Sequence, residues 1–298
     1  MPSILLIHNP VAARTSIAVL DAIQGVFSAA GWHVTAVDTL RAGHAEELAR
    51  KGVAAGVDVV AVYGGDGTTI QAVGGMIGTG TALGLLPGGT GNLLAGNLRL
   101  PRNPVKAASI IVNGAPSPID LGRLTCSGSV RYFSVGCGAG FDAEIMTGTT
   151  EAAKRRFGMA AYVAKTLEVL GKLEAVPHRI TIDGETREVA ATSVLVVNCG
   201  EIIPPILRLK KDISVRDGML DVILFSPTGY VESVGAFLQM VSGRTNGEGR
   251  IQFAKGRVIH VETERPQPVE MDGDGAGFTP FTAEVIPNGI EVYLPRGS

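Results

Sequence analysis

Two glycine clusters are the residues of this sequence best suited to hold an anion. Gly64-Gly65-Asp66-Gly67-Thr68 and Pro87-Gly88-Gly89-Thr90-Gly91-Asn92 each follow a short apolar run and precede a stretch with helical spacing. Glycine lets a backbone approach a ligand closely, and the unpaired N–H groups of a following helix then point at negative charge. A lone cluster is more often a tight turn. Two clusters after consecutive strands, each with a threonine and an aspartate or asparagine inside, describe one phosphate cradle. Three common signatures are missing: G-x-x-x-x-G-K-S/T, G-x-S-x-G, and G-x-G-x-x-G after the first strand, where Asn9-Pro10-Val11-Ala12-Ala13 stands. Those absences argue against a P-loop NTPase, a serine hydrolase and an ordinary dinucleotide site.

The carboxylates are a second set of candidates. Asp66, at a helix start, can cap backbone N–H groups or orient a metal-bound nucleotide. Asp217-Gly218 and Asp272-Gly273-Asp274-Gly275 are good turn chemistry. The latter is not an EF-hand loop, because Ala276 and Ala283 fall on ligand positions. The histidines at 8, 33, 44, 178 and 260 lack ligand spacing, which argues against zinc. Cys126, Cys137 and Cys199 form no C-x-x-C and are odd in number, as expected of free thiols in a reducing compartment.

The elements that must position these groups follow from patterning. Positions 4–8, 33–37, 57–63 and 82–86 read as strands, and 17–29, 44–55, 68–77 and 105–112 as helices. This alternation predicts a parallel sheet covered on both faces. From about residue 118 strands dominate: 130–135, 179–182, 189–197, 220–225, 257–263, 267–271 and 290–294, bounded by turns such as Asp183-Gly184 and Asn288-Gly289. Helical stretches at 151–173 and 230–241 interrupt them. The expected fold is therefore α/β: a Rossmann-like three-layer domain over 1–118, then a β-rich sandwich over 119–298. The 298 residues carry a net charge of −2, which does not suit a protein that coats nucleic acid through bulk charge. No apolar run approaches a bilayer span, and the N-terminus lacks the basic region of a signal peptide. A cytoplasmic protein is expected.

Gly64-Gly65-Asp66-Gly67-Thr68 is the GGDGT signature of the diacylglycerol kinase and sphingosine kinase superfamily, shared with the NAD kinases. Further segments resemble its lipid-kinase branch in order along the chain. They are Asn9-Pro10 after the first strand, Thr39 with Gly43, the loop from Pro87 to Asn92, Gly138-Ala139-Gly140-Phe141-Asp142, Lys154 with Phe157-Gly158 and Tyr162, Asp217-Gly218-Met219-Leu220-Asp221, and Asp272-Gly273-Asp274. Two positions depart from the family pattern: Leu93 replaces an aspartate, and Asp274 stands where the family has glutamate.

The resemblance implies an ATP-dependent lipid kinase. It places ATP on Asn9, Pro10, Val11, Ala12, Ala13, Thr39, Gly64, Gly65, Asp66, Gly67, Thr68 and Thr90. It gives Asp274 the role of general base and assigns Mg²⁺ to the Asp217 carboxylate with the carbonyls of Ser214 and Met219. The acceptor would be a lipid hydroxyl of diacylglycerol, sphingoid or phosphatidylglycerol type. Lys154-Arg155-Arg156 and the apolar 202–207 segment before Arg208, Lys210 and Lys211 suit a solvated helix start and a buried loop, or a reversible membrane contact. No nucleic-acid partner is expected, and a homodimer stays open. Two rival readings remain: a soluble-substrate kinase close to the NAD kinases, and a non-catalytic binding relative.

Overall fold

A computed structural model describes residues 1–140, 175–203, 207–209, 212–226, 232, 235 and 250–297. It divides into two units. The first comprises Met1–Leu121, Val215–Asp217 and Ile286–Ser298; the second comprises Gly122–Ser214 and Gly218–Val285.

The first unit opens with β1 (Ser3–His8), α1 (Ile17–Ala29), β2 (His33–Asp38), α2 (His44–Ala54), β3 (Val59–Gly64), α3 (Asp66–Gly74), β4 (Ala82–Pro87), α4 (Leu93–Asn97) and α5 (Pro104–Asn113). The strands lie parallel in the order β2-β1-β3-β4, with Leu6 opposite both Ala36 and Ala61 and Val60 opposite Leu83. Every residue of β3 and β4 is buried, as expected of strands covered on both faces. The edge strand β2 is largely exposed. Leu6, Ile23, Phe27, Tyr63, Leu86 and Ile111 form one core between the sheet and the α1/α5 layer. Two helix starts are fixed locally. Ser16 accepts a hydrogen bond from the Val19 N–H, and Asn103 accepts from Val105 and Lys106 with Pro104 at the first helical position. Gly84 is where α5 meets β4, since a Cβ there would lie 2.5 Å from Ile111 Cδ1.

The remaining strands are β5 (Ala115–Cys126), β6 (Ser129–Phe133), β7 (Gly136–Ala139), β8 (Val176–Ile182), β9 (Glu185–Ala191), β10 (Ser193–Val197), β11 (Glu201–Ile203), β12 (Leu207–Arg208), β13 (Leu220–Phe225), β14 (Ile251–Gly256), β15 (Val258–Thr263), β16 (Pro268–Met271), β17 (Asp274–Phe278) and β18 (Phe281–Leu294). In the second unit β14-β13-β10-β7-β16-β17 form an antiparallel sheet. Its inward residues Val194, Val222, Val269 and Met271 share a core with Ile180, Val261, Phe281 and Phe133 from the facing strands. This is the expected sandwich.

Three expectations need correction. The boundary expected within a few residues of 118 lies at Leu121, but the first unit also includes 215–217 and 286–298, which were expected in the second. The cause is β18, whose residues 286–294 return to the first unit, with Val292 parallel to Leu83 of β4. Asn288-Gly289 is therefore no turn between strands. It sits inside β18, with Asn288 at φ 51° and its N–H donated to Asp120 Oδ1 at 2.9 Å. The predicted strand 189–197 is two strands, broken where Thr192 donates its N–H and hydroxyl to the Phe225 carbonyl. The predicted helix 151–173 lies outside the described residues, as does nearly all of 230–241.

Candidate active site

The predicted nucleotide-binding residues gather at the carboxyl ends of β1, β2, β3 and β4, the edge where open parallel sheets bind ligands. Hydrogen bonds tie their loops together. Asn9 donates its N–H to the Tyr63 carbonyl at 3.0 Å and its Nδ2 to Thr68 Oγ1 at 2.8 Å. Its Oδ1 accepts from the Val11 N–H. The loop after β1 reaches the loop after β4 through Arg14 N–H to the Gly88 carbonyl at 2.9 Å. Gly88 in turn donates to the Gly64 carbonyl at 2.8 Å. The Tyr63 hydroxyl sits between the Arg14 carbonyl and the Ser16 N–H. Thr39, after β2, joins this edge by donating its N–H to the His8 carbonyl.

Asp66 has the most consequential contacts. Its Oδ1 accepts from the Leu93 N–H at 2.7 Å and the Leu94 N–H at 3.4 Å. These are the first N–H groups of α4, whose N-cap Asn92 supplies no side-chain cap of its own. The aspartate thus caps the next loop's helix. Burial pushes its pKa up, and the N–H groups of Leu93, Leu94 and Asn92 pull it back. Gly65, the N-cap of α3, likewise gives that helix no side-chain cap, so its first N–H groups face the edge without one.

The glycines divide by purpose. A Cβ on Gly89 would lie 2.6 Å from Gly65 Cα, and one on Gly88 2.6 Å from Thr15 Cγ2. Both are glycine because the loops touch there. A Cβ on Gly67 meets nothing within 4 Å. Asn92, absent from the predicted set, closes the second loop. It adopts φ 51°, accepts from the Gly89 N–H and donates to the Gly89 carbonyl. Its place in a glycine-rich turn was the available signal. Thr90 is exposed on the same loop.

In the second unit, Met271-Asp272-Gly273-Asp274 is a two-residue hairpin turn, with φ 49° at Asp272 and 91° at Gly273, as the favoured hairpin geometry requires. The Asp272 carboxylate accepts four hydrogen bonds: the N–H and hydroxyl of Ser134, and the N–H groups of Val135 and Gly136. It holds the segment leading into β7. Asp274, the predicted base, opens β17, pairs with Met271 and is exposed. Glu270 lies on the opposite face of β16 from the buried Val269 and Met271, and its Oε2 is buried without a hydrogen-bond partner. Burial raises its pKa to about 7.

Asp217 is exposed in the turn before β13, where Gly218 adopts φ 68°. The neighbouring Val215 carbonyl accepts the Asp120 N–H at 2.7 Å. Ser214 and Met219 flank this turn in sequence. Among the described residues no three His, Cys, Asp or Glu side chains gather as a metal site. Phe141, Asp142, Lys154, Phe157 and Tyr162 lie outside the described residues.

Residues 3–124 match the family described as the diacylglycerol kinase catalytic domain, and 135–294 match the YegS C-terminal NAD kinase beta sandwich-like domain. The chain belongs to the diacylglycerol kinase superfamily. This kinase is 26% identical to the diacylglycerol kinase of Bacillus subtilis over 98% of its own length and 96% of that protein's. It is 28% identical to the diacylglycerol kinase of Mycobacterium tuberculosis, covering 85% and 82%. A crystal structure of a diacylglycerol kinase from Bacillus anthracis superposes with TM-score 0.77 at 25% identity, over 98% and 96% of the two chains.

Two outcomes follow. Gly67→Ala should leave the kinase at least as thermostable as wild type, because alanine favours a helix by up to ~1 kcal/mol and meets no neighbour. It should nevertheless weaken ATP binding, measured by calorimetric titration, roughly tenfold, or about 1.4 kcal/mol. Wild-type ATP affinity would show that no phosphate approaches Gly67. The second concerns pH. Glu270 binds its proton more tightly in the fold than in the unfolded chain, so its protonation stabilises the fold below the ordinary carboxylate pKa of 4.5. That contribution is lost as pH rises through about 7. The wild-type melting temperature should fall relative to Glu270→Gln between these values and run parallel above them. Parallel curves throughout would mean that Glu270 titrates normally.

Proposed function

We propose that the chain transfers the γ-phosphate of ATP to the hydroxyl of a lipid, with Asp274 taking the proton. The observation that carries this reading is the bonded frame of loops at the carboxyl ends of β1, β3 and β4, in a chain of this superfamily. Phosphoryl transfer demands little covalent help. The γ-phosphate must be positioned and its charge neutralised, and the acceptor oxygen must attack as its proton leaves. Backbone N–H groups around Gly64, Gly65, Gly67 and Thr68 suit the first task, with Asn9 to Ala13, Thr39 and Thr90 around them. The exposed Asp274 carboxylate suits the last: the hydroxyl oxygen bonds phosphorus, its proton passes to Asp274, and ADP departs.

Magnesium fits the turn before β13 by donor class. One carboxylate, Asp217, and the carbonyls of Ser214 and Met219 are the hard oxygens this cation takes, with water completing the shell. When bound there it supplies a fixed positive charge that holds the turn. No helix of the described residues is long and apolar enough to cross a membrane. The reading includes a cytoplasmic enzyme that reaches its lipid by reversible surface contact.

Labelled γ-phosphate supplied as ATP with a total lipid extract should appear in a lipid. Label in NAD instead would select a soluble-substrate kinase, and label in no acceptor a binding protein. Asp274→Asn should bind ATP normally and lose about a hundredfold to ten-thousandfold in kcat. Asp272→Asn should instead melt earlier, because it replaces a carboxylate that accepts four hydrogen bonds. Wild-type kcat in Asp274→Asn would remove that residue from the reaction. Asp217→Ala should abolish any rise in melting temperature on going from EDTA to Mg²⁺. An undiminished rise would show that the metal binds elsewhere.

A further inference from the structure

Asp38 ends β2 and stands in one row of the register with His8 of β1, Tyr63 of β3 and Leu86 of β4. The two glycine loops leave β3 and β4 at this same level, starting from Gly64 and Pro87. His8 is 2% exposed, and its ring stacks on Tyr63 with centroids 5.3 Å apart. Its Nδ1–H donates to Asp38 Oδ1 at 2.8 Å, whereas its Nε2 is buried with no hydrogen-bond partner. The Asp38 side chain is 56% exposed, and among the described residues His8 is the only donor to its carboxylate. A buried imidazole with one nitrogen unpaired is a costly way to tie two strands, since the orphaned atom has lost its water. What the arrangement does achieve is to hold an exposed carboxylate in one orientation.

Topology gives that carboxylate a use. The sheet runs β2-β1-β3-β4, so the strand order reverses at β1, and Asp38 ends the strand beside it. Open α/β sheets bind nucleotides at such a reversal, and an acidic side chain at the end of the second strand is where they hold a ribose hydroxyl. Asp38 lies two strand spacings, about 10 Å, from β3. A triphosphate covers that span, so phosphates over the glycine loops bring the ribose to the β1–β2 end. Val11 and Leu40, large apolar side chains left exposed on the loops after β1 and β2, offer the base a surface there. Resting on the ATP-dependent kinase reading, we propose that Asp38 accepts hydrogen bonds from the ribose hydroxyls of ATP and selects ribonucleotides over 2′-deoxynucleotides, with His8 as the residue that positions it. A carboxylate only accepts and a ribose hydroxyl can donate. A site built to bond a hydroxyl rejects the analogue that lacks it. At this distance from β3 the Asp38 charge stands about one Debye length from the phosphates, which limits their mutual repulsion.

The test titrates the full chain calorimetrically with ATP and with 2′-deoxy-ATP, each with Mg²⁺ and without lipid. The wild type should bind ATP roughly tenfold or more tightly than the deoxynucleotide. Asp38→Ala should bind ATP only as well as the wild type binds 2′-deoxy-ATP, so that the preference disappears. His8→Phe keeps an aromatic ring on Tyr63 and removes the unpaired nitrogen. It should melt no earlier than wild type and still lose most of the preference. A pair that only ties β1 to β2 would instead lower both melting temperatures and leave the preference unchanged. An unchanged preference in Asp38→Ala, or equal affinities in the wild type, would overturn the assignment while leaving the kinase reading intact. An unchanged preference in His8→Phe alone would remove His8 from its positioning role. A wild-type chain that binds neither nucleotide would sink the kinase reading and the assignment together.

Discussion

The first unit's site depends on one carboxylate bridging two loops. Asp66 leaves the loop after β3 and spends its charge on the first N–H groups of α4, after β4. Four donors at a helix start need partners, and α4 is too short to shed that cost through packing along its length. Its N-cap Asn92 adopts a left-handed conformation and turns its side chain back to Gly89. The cap must therefore come from elsewhere in the fold, and Asp66 is the residue that reaches. The glycines on either side of the bridge follow from the same constraint. With the loops drawn together, Gly89 comes so close to Gly65 that any side chain on Gly89 would push the backbones apart.

A comparable economy orders the second unit's hairpin, where three carboxylates within five residues do different work. Asp272 has a left-handed backbone that the two-residue turn needs, and its side chain serves as an anchor for Ser134 to Gly136. Glu270 and Asp274 lie on either side of it and on opposite faces, because side chains alternate along a strand and paired residues share a face. Charge alone cannot tell these three residues apart. Their hydrogen-bond partners and exposure do.

Much of this was legible in the sequence. Strands and helices alternating through the first third specified the parallel sheet, and 17–29 was placed to the residue. The glycine clusters identified their loops because close approach leaves few other residue choices. What was not legible depends on pairing over long distances. Nothing in 286–294 says that a terminal strand will return beside β4, and nothing local says that 185–191 and 193–197 belong to different sheets. The Asp66 bridge spans only 27 residues, yet its acceptor role needs the two loops already in place. Glu270 was detectable in principle from the alternation Val269, Glu270, Met271. Its glycine neighbours on β7 and β17 come from the register, which no local pattern reveals.

The two departures from the family pattern differ in consequence for the same physical reason. At position 93 the fold uses the backbone: the Leu93 N–H donates to Asp66 whatever side chain stands there. Leucine can replace aspartate without loosening the bridge, and only a contact made by the missing carboxylate itself is forgone. At position 274 the side chain is the working part of the proposed reaction. Asp274 is exposed at the start of β17, so its reach is set by its own length and by the turn that Asp272 anchors. A carboxylate one methylene shorter than glutamate must meet a hydroxyl that lies closer to the strand, since proton transfer needs hydrogen-bond distance.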